Sequence, residues 1–307
     1  MKHFKLNLLL AVFVVLSIAF LSSCIKPIQE GQKEERNFTF VFMTDIHVKP
    51  ENNAIEGFKQ AIKKVNELSP DFVITGGDLV YDVLEQNYGR ADSLYNIYLE
   101  CQKEFKMPVY NTIGNHEVFG LYPESGVDKN HPEFGKKMYE KRIGKRFYSF
   151  EHKGWKIYIL DSIGESEEGT YYGYVDSVQM TWIKNELQNV DTTTPIIISV
   201  HIPFITTQTQ ILEGALAKNS EGLVITNSKE VLDLFAHHNL KLVLQGHLHF
   251  LEDIYVQDKV HFITAGAVCS KWWKGKYYGL EEGFLLVRIE DGNISWEYID
   301  YGWEVDN

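Results

Sequence analysis

Apolar runs alternate with helical spacings along the first third of the chain. Three short runs, rich in β-branched and aromatic residues, predict strands at 38–43, 71–75 and 108–113. Between them, apolar residues recur every three or four positions, which predicts helices at 54–68 and 92–105. Strands that alternate with helices pair in parallel through right-handed crossovers, so this part of the chain predicts a parallel sheet.

The middle of the chain mixes both patterns. In chain order it predicts a helix at 132–142, a hairpin of strands 146–152 and 156–161, a helix capped by Asp176 and ending at 187, a strand at 196–200, a helix capped by Ser228 and ending at 238, and a strand at 240–244. Residues 206–226 carry few signals, and we interpret them as a mobile flap.

Beyond residue 250 the spacing changes to period two. Strands at 252–256 and 260–264 flank one polar turn, and strands at 283–289 and 294–301 flank another, so two hairpins are predicted. No linker and no repeat other than the βα unit divides the body of the chain. We therefore expect one domain of the α/β class.

The first residues carry the pattern of a secretory signal. A basic start precedes a short apolar stretch, and Leu21-Ser22-Ser23-Cys24 follows, which is similar to the bacterial lipobox with its lipidated cysteine. We expect a lipoprotein signal peptide at 1–23, a flexible tether at 24–37 and the folded domain at 38–307. An ordinary cleaved signal and an uncleaved anchor are the alternatives.

The charge and the cysteine content limit which partners and which cellular location we expect for the protein. The formal net charge of −12 disfavours nucleic-acid polymers, whose phosphates attract basic surfaces. With Cys24 lipidated, only Cys101 and Cys269 remain, and we expect two buried free thiols because nothing places them close enough for a disulfide. The chain is thus expected to be exported and lipid-anchored to the bacterial cell envelope, with no identifiable protein partner.

Seven side chains that bind metals well follow the ends of apolar runs. They are Asp45, His47, Asp78, Asn115, His201, His247 and His249. In open α/β sheets, sites form in the loops beyond the carboxyl ends of strands. Imidazole, carboxylate and amide ligands suit Mn²⁺, Fe²⁺ or Zn²⁺, and the absence of cysteine argues against a structural zinc site. Seven ligands suit two ions that share one carboxylate, about 3.5–4 Å apart.

Five motifs in this order resemble the calcineurin-like metallophosphoesterase family. They are Asp45-Ile46-His47, Gly77-Asp78, Gly114-Asn115-His116-Glu117, His201 and Gly246-His247-Leu248-His249. The resemblance spans residues 45–249, and the remaining sequence to Tyr301 would complete the domain. It implies a four-layer α/β/β/α sandwich of two mixed β-sheets flanked by helices, which agrees with the pattern above.

The resemblance also implies a role for each residue. One ion would be held by Asp45, His47, Asp78 and His249. The second would be held by Asp78, Asn115, His201 and His247, with Asp78 as the bridge. His116 would lie over the leaving-group oxygen, while a hydroxide bridging the ions attacks phosphorus in line. The alternative interpretation of His116 is a residue that only supports Asn115.

Several subfamilies fit poorly. The serine/threonine protein phosphatases carry an Asp-Arg pair soon after the bridging Asp and an Arg just before Gly-Asn-His. Here Leu79-Val80-Tyr81-Asp82 follows Asp78, and Ile113 occupies the second Arg position. Purple acid phosphatases need a tyrosine ligand, which we do not assign, and DNA-repair nucleases suit neither the acidic body nor the anchor. Cyclic nucleotides, nucleotide esters, phospholipid head groups and small phosphomonoesters remain as substrates.

One further segment is similar to a stretch found in secreted bacterial members of the family. Residues 266–275 contain Trp272 and Trp273. The alternative is that these tryptophans fill a gap in the core.

The leading hypothesis is an enzyme, a metal-dependent phosphoric ester hydrolase acting on small phosphate mono- or diesters. The alternative is a non-catalytic surface binding protein that retains the fold, although such a protein has no chemical need for seven ligands together with His116. A lactonase or amidase would carry a dense His-x-His-x-Asp-His cluster, which this sequence lacks.

Overall fold

The computed structural model describes residues 36–305, so the expected signal peptide and most of the tether lie outside the described residues. The strands of the described part are β1 Phe38–Met43, β2 Phe72–Thr75, β3 Val109–Asn111, β4 Tyr148–His152, β5 Trp155–Ile159, β6 Ile163–Glu165, β7 Tyr171–Gly173, β8 Pro195–Ser199, β9 Asn239–Gln245, β10 Glu252–Val256, β11 Val260–Thr264, β12 Gly283–Glu290 and β13 Asn293–Asp300. Its helices are α1 Ala54–Leu68, α2 Tyr88–Gln102, α3 Lys137–Arg142, α4 Ser177–Leu187, α5 Gln208–Glu213 and α6 Ser228–Leu234.

The first sheet has the strand order β13-β12-β1-β2-β3. Its strands β1, β2 and β3 run parallel, with α1 and α2 as the crossovers. The closing hairpin of β12 and β13 adds antiparallel strands beside β1. The predicted parallel unit is therefore confirmed, and the terminal hairpin completes the same sheet.

The second sheet has the order β10-β11-β9-β8-β5-β4. Its centre is parallel, from β5 through β8 and β9 to β11. The two predicted hairpins, β4–β5 and β10–β11, place an antiparallel strand at each edge. Both large sheets are thus mixed.

Three apolar clusters define four layers. Phe40 and Phe72 of the first sheet meet Ile157 and Leu244 of the second in a cluster between the two sheets. Helices α1 and α2 cover the outer face of the first sheet, and α4 and α6 cover the outer face of the second. Each helix buries an apolar stripe, which explains why the helices are found on the outside. The expected α/β/β/α sandwich is confirmed.

Several element boundaries differ from the prediction. The helix expected at 132–142 begins only at Lys137, because the preceding residues form turns and Gly135 has a φ of 67°. Helix α2 begins one turn early at Tyr88, since the Asn87 side chain accepts a hydrogen bond from the Arg90 N–H at 3.1 Å. Asp176 caps α4 as predicted, accepting from the Gln179 N–H at 2.7 Å.

Three other differences concern the second half of the chain. Helix α6 ends at Leu234, and its N-cap is Asn227 in place of Ser228. The flap segment contains α5, and the small hairpin of β6 and β7 was not predicted because its strands have only three residues each.

Cys101 and Cys269 are buried free thiols, as expected. Within residues 36–305, no helix combines the length and apolar character needed to cross a membrane.

Candidate metal centre

Five loops at the carboxyl ends of strands bring the seven candidate ligands together. Three of these loops follow β1, β2 and β3, which are neighbours in the first sheet, and two follow β8 and β9, which are neighbours in the second. The side chains of Asp45, His201 and Asn115 are at most 1% exposed. The cluster therefore lies where the ends of the two sheets meet.

One subgroup of side chains surrounds His47 and His249. Their Nε2 atoms lie 3.2 Å apart. His249 Nε2 is also 3.4 Å from Asp45 Oδ1, and His47 Nε2 is 3.5 Å from Asp78 Oδ2. Four candidate ligand atoms thus face one small space.

The second subgroup surrounds His201. Its Nε2 atom lies 3.0 Å from Asn115 Oδ1, 3.2 Å from His247 Nδ1 and 3.1 Å from Asp78 Oδ2. The same Asp78 oxygen therefore lies close to an imidazole nitrogen of each subgroup. A carboxylate shared by two ions would have this position.

Each of the four imidazoles is fixed by a backbone carbonyl on its outer side. The contacts are His47 Nδ1 to Tyr81 O at 3.1 Å, His201 Nδ1 to Gly76 O at 2.8 Å, His249 Nδ1 to Ser270 O at 2.6 Å, and His247 Nε2 to Gly222 O at 2.9 Å. A carbonyl only accepts, so the outer nitrogen carries the proton. In the neutral ring the inner nitrogen then presents a lone pair, as metal-bound histidines do.

These lone pairs make the donor set suitable for cations. His47 and His249 present facing nitrogens at 3.2 Å, and so do His201 and His247. Two facing lone pairs repel unless a proton or a metal ion lies between them. The residues therefore fit divalent ions in both subgroups, and in the second the ligand atoms of Asp78, His201 and His247 all lie within 4.8 Å of one another.

The backbone is left-handed at most of the candidate ligand positions. Positive φ angles occur at Asp45, His47, Asp78, His247 and His249, with values between 46° and 72°. This conformation is uncommon for residues other than glycine and clusters at functional sites. Two glycines allow the loops to approach: a Cβ atom at Gly114 would lie 2.2 Å from Asp78 Oδ1, and one at Gly246 would lie 2.0 Å from Thr44 Oγ1.

Glu117 organises the loop after β2, a role that the sequence did not reveal. Its buried carboxyl group accepts hydrogen bonds from the N–H groups of Asp78, Leu79 and Val80 at 2.7–3.1 Å, and from Gly114 at 2.7 Å. Burial and the Asp78 carboxylate raise the pKa of Glu117 to about 8, while these donors act in the opposite direction. Glu117 thereby fixes the backbone that carries Asp78.

The two candidate ligand carboxyls, those of Asp45 and Asp78, favour the ionised form. Burial raises the pKa of Asp45, but the imidazoles of His249 and His201 outweigh it and hold the value at about 2. Burial also raises the pKa of Asp78, but His201 and His116 lower it by more, so that it lies well below the usual range. The centre therefore holds two buried negative charges.

His116 lies beside the seven candidate ligands and, like His247, is half-buried. Its side chain is 25% exposed, and its Nε2 atom is 3.9 Å from Asp78 Oδ2. On the other side of the ring, Nδ1 lies 3.6 Å from Asp82 Oδ1. The geometry places a half-buried imidazole beside the cluster, backed by a carboxylate that the sequence did not single out.

The two tryptophans of segment 266–275 have different surroundings. Trp273 is 1% exposed, and its Nε1 donates to the carbonyl oxygens of Ile46 and His47 at 3.0 and 3.1 Å. The ring of Trp272 lies 4.7 Å from the ring of His249. The core interpretation thus holds for Trp273 alone.

A four-layer sandwich with histidine, aspartate and asparagine side chains clustered at its strand ends is typical of metal-dependent phosphoesterases. The chain belongs to the calcineurin-like phosphoesterase family, whose sequence pattern matches residues 38–251.

Two relatives are named for different activities. The chain is 21% identical over 246 residues to a probable cyclic nucleotide phosphodiesterase of Xenorhabdus bovienii, covering 76% of this chain and 87% of the relative. It is 23% identical over 334 residues to purple acid phosphatase 17 of Arabidopsis thaliana, covering 98% and 92%.

Solved structures agree on the fold. A dimetal phosphatase from Danio rerio superposes with a TM-score of 0.58 at 14% identity, over 86% of this chain and 99% of that one. The purple acid phosphatase PPD1 from yellow lupin gives a TM-score of 0.54 at 15% identity, over 86% and 52%.

Proposed function

We propose that this chain hydrolyses phosphate mono- or diesters at a centre of two divalent ions, with Mn²⁺, Fe²⁺ or Zn²⁺ as the ions. The observation that carries the proposal is the set of four imidazoles, each fixed by a carbonyl and directed at two buried carboxylates. Family membership supports the reaction type. One relative is named as a probable phosphodiesterase and the other as a phosphatase, so their names do not decide between diesters and monoesters.

The two subgroups of side chains divide the ligands between the ions. Asp45, His47 and His249 would hold one ion together with Asp78. Asn115, His201 and His247 would hold the other, again with Asp78. The position of Asp78 Oδ2, 3.5 Å from His47 Nε2 and 3.1 Å from His201 Nε2, supports its role as the shared ligand.

When bound, such ions supply positive charge to the phosphoryl oxygens and acidify a water molecule. His116 would act on the leaving group: its Nε2, 3.9 Å from Asp78 Oδ2, would donate a proton to the departing oxygen. Asp82, 3.6 Å from Nδ1, would orient the ring. Asp45 and Asp78 would keep the centre negative and thus select cations.

Metal content and turnover test the proposal together. Protein purified without chelator should contain about two equivalents of divalent metal by elemental analysis. It should hydrolyse p-nitrophenyl phosphate or bis(p-nitrophenyl) phosphate, lose this activity on chelation and regain it with Mn²⁺, Fe²⁺ or Zn²⁺. A reproducible single equivalent, or no hydrolysis of either ester with any of these ions, would contradict it. Full metal content without hydrolysis would favour the binding-protein alternative.

We also propose export and lipid attachment at Cys24, which lies outside the described residues. The support is the Leu21-Ser22-Ser23-Cys24 sequence followed by a charged, polar segment. Cys24→Ala should release the protein into the soluble fraction or block its processing. Unchanged membrane association of the variant would count against lipidation.

A further inference from the structure

Trp272 is held next to the metal centre by its neighbour. Trp273 is anchored in the core, where its ring leaves no space for a Cβ atom at Gly57, and it donates to the backbone of the His47 loop. Both tryptophans have a positive φ, 50° and 66°. A strained backbone of this kind persists only where the surrounding structure fixes it. The chain thus turns sharply and places the Trp272 ring 4.7 Å from His249 and 6.2 Å from His47.

An aromatic shelf continues outward from Trp272. Its ring lies 5.7 Å from Tyr277, Tyr277 lies 4.3 Å from Tyr278, and Tyr278 lies 6.0 Å from Phe250. Tyr277 also contacts His249 at 6.1 Å. Trp272, Tyr277 and Phe250 are half-buried and Tyr278 is 54% exposed, so the shelf runs from the ligands to solvent. The aromatic surface of the shelf is therefore only partly buried in the core.

Positive charge accompanies this shelf on an otherwise acidic chain. Lys271 and Lys274 are exposed on the same loop. Lys49 is 5% exposed, and its Nζ lies 3.7 Å above the ring centre of Tyr81, the residue whose carbonyl fixes His47. An anion that carries a flat apolar group matches both features.

We propose that Trp272 determines substrate specificity by stacking on a planar aromatic ring, a nucleobase or an aryl group, carried by the phosphoester. The inference rests on the proposed function and selects one substrate class from it. Stacking tolerates any flat ring, because every base presents a π-face, and ring removal typically weakens binding by about tenfold. Aliphatic phosphoesters would gain nothing from the shelf.

Matched substrates in the metal-loaded protein test the inference. Adenosine monophosphate is compared with glycerol phosphate, and cyclic adenosine monophosphate with glycerophosphocholine. In Trp272→Leu, the ratio of kcat/KM for the aromatic member over the aliphatic member should fall about tenfold. Trp272→Phe should restore most of this ratio. Tyr255→Leu, a change at a 50% exposed tyrosine stacked on His261, serves as the control and should leave the ratio unchanged.

Other outcomes separate this inference from the proposed function. An equal loss for both substrates in Trp272→Leu, or a loss of bound metal, would show that the ring only packs against the ligands, and would overturn the inference. If no ester is turned over, the proposed function fails, and calorimetric binding of adenosine monophosphate still decides about Trp272. An equal Kd in the wild type and Trp272→Leu would overturn the inference on its own.

Discussion

Two buried polar clusters in this molecule differ in how their charges are matched. In the closed cluster, Asp161 accepts from Lys136 and Arg146 at 2.7 Å each, and Arg146 also donates to Asp176 at 2.8 Å. In the open cluster, formed by the seven candidate ligands, the ion pairs of Asp45 and Asp78 within the described chain are with imidazoles.

The difference lies in the protons. Lysine and arginine are protonated at neutral pH, so the closed cluster satisfies its carboxylate with charges from the same chain. In the open cluster the inner imidazole nitrogens face one another. Burial lowers the pKa of these rings, but Asp78 raises the pKa of His201 to about 9 and Asp45 raises that of His249 above its usual range, so the balancing protons lie where a metal ion would displace them. The closed cluster should therefore serve stability, and the open one should serve binding of a cation from outside.

The largest expected effect comes from Asp78→Asn. It weakens the proposed shared ligand, so both ions should be lost and kcat/KM should fall by more than the roughly 10–100-fold typical of changes to outer partners of a metal. Elemental analysis and ester turnover measure this.

The matched control for Asp78→Asn is Asp161→Asn in the closed cluster. This variant should lose stability, by about 3–5 kcal/mol as for a broken buried ion pair, while keeping its metal. If it does not fold, Asp176→Asn, at the more exposed end of the same cluster, takes its place. Equal metal loss in Asp78→Asn and in either control would refute the distinction between the clusters.

His116→Ala separates chemistry from metal binding within the open cluster. Metal content should stay near normal, because His116 is not one of the seven ligands, and kcat should fall by about 10²–10⁴-fold. The loss should be smaller for nitrophenyl esters, whose leaving group scarcely needs a proton, than for alkyl esters. Equal losses would assign His116 to charge stabilisation, and loss of metal would refute its proposed role.

Chelation should lower thermal stability through the open cluster alone. An ion present at about 100 times its Kd stabilises the folded state by about 2.7 kcal/mol. Because Tm changes by about 2–4 °C for each kcal/mol of unfolding free energy, removing the ion should lower Tm by about 5–10 °C, as measured by calorimetry. Asp161→Asn should keep this response and Asp78→Asn should lose it. A Tm that is insensitive to chelator in the wild type would contradict the open-cluster interpretation.

The smallest effect concerns a second closed pair. Glu133 accepts from Arg142 at 2.9 Å and from Lys141 at 2.5 Å. Burial raises the pKa of Glu133, but these donors outweigh it, and the net pKa lies below the ordinary 4.5. Its stabilisation should be full above that pH and disappear on acidification. Glu133→Gln should cost about 1.5 kcal/mol at pH 7, and its denaturation curve should converge with that of the wild type as the pH falls through the lowered pKa of Glu133. A pH-independent difference would argue against the ion pair.

Strong periodicity explains which elements were predictable. The bounds of α1 agree with the prediction because its buried positions, such as Phe58, Ile62 and Val65, repeat along one helical face. The helix at 132–142 was predicted too long, since its apolar spacing does not encode the left-handed turn at Gly135. Strands β6 and β7 were missed because three residues are too few to show a period.

The candidate site was also predictable only where a regular sequence pattern marked its residues. Its seven residues could be named because each follows a strand, and strand ends of one sheet meet in space. The roles of Glu117 and Trp272 could not be read in this way, because they arise from backbone N–H groups and ring contacts between segments distant in sequence. The roles of the seven residues as ligands stay a prediction.

The left-handed backbone at five of the seven ligand positions has a consequence for protein design. Copying the seven side chains onto the regular strands or helices of another scaffold would aim them along the wrong directions, because each bond to Cβ follows the local φ and ψ. A functional graft would have to include the loops themselves. These loops need Gly114 and Gly246, where a Cβ atom would collide with a neighbouring segment, and the four backbone N–H groups that donate to Glu117. In this fold the transferable unit is a set of turns, and the amino acids alone are not enough.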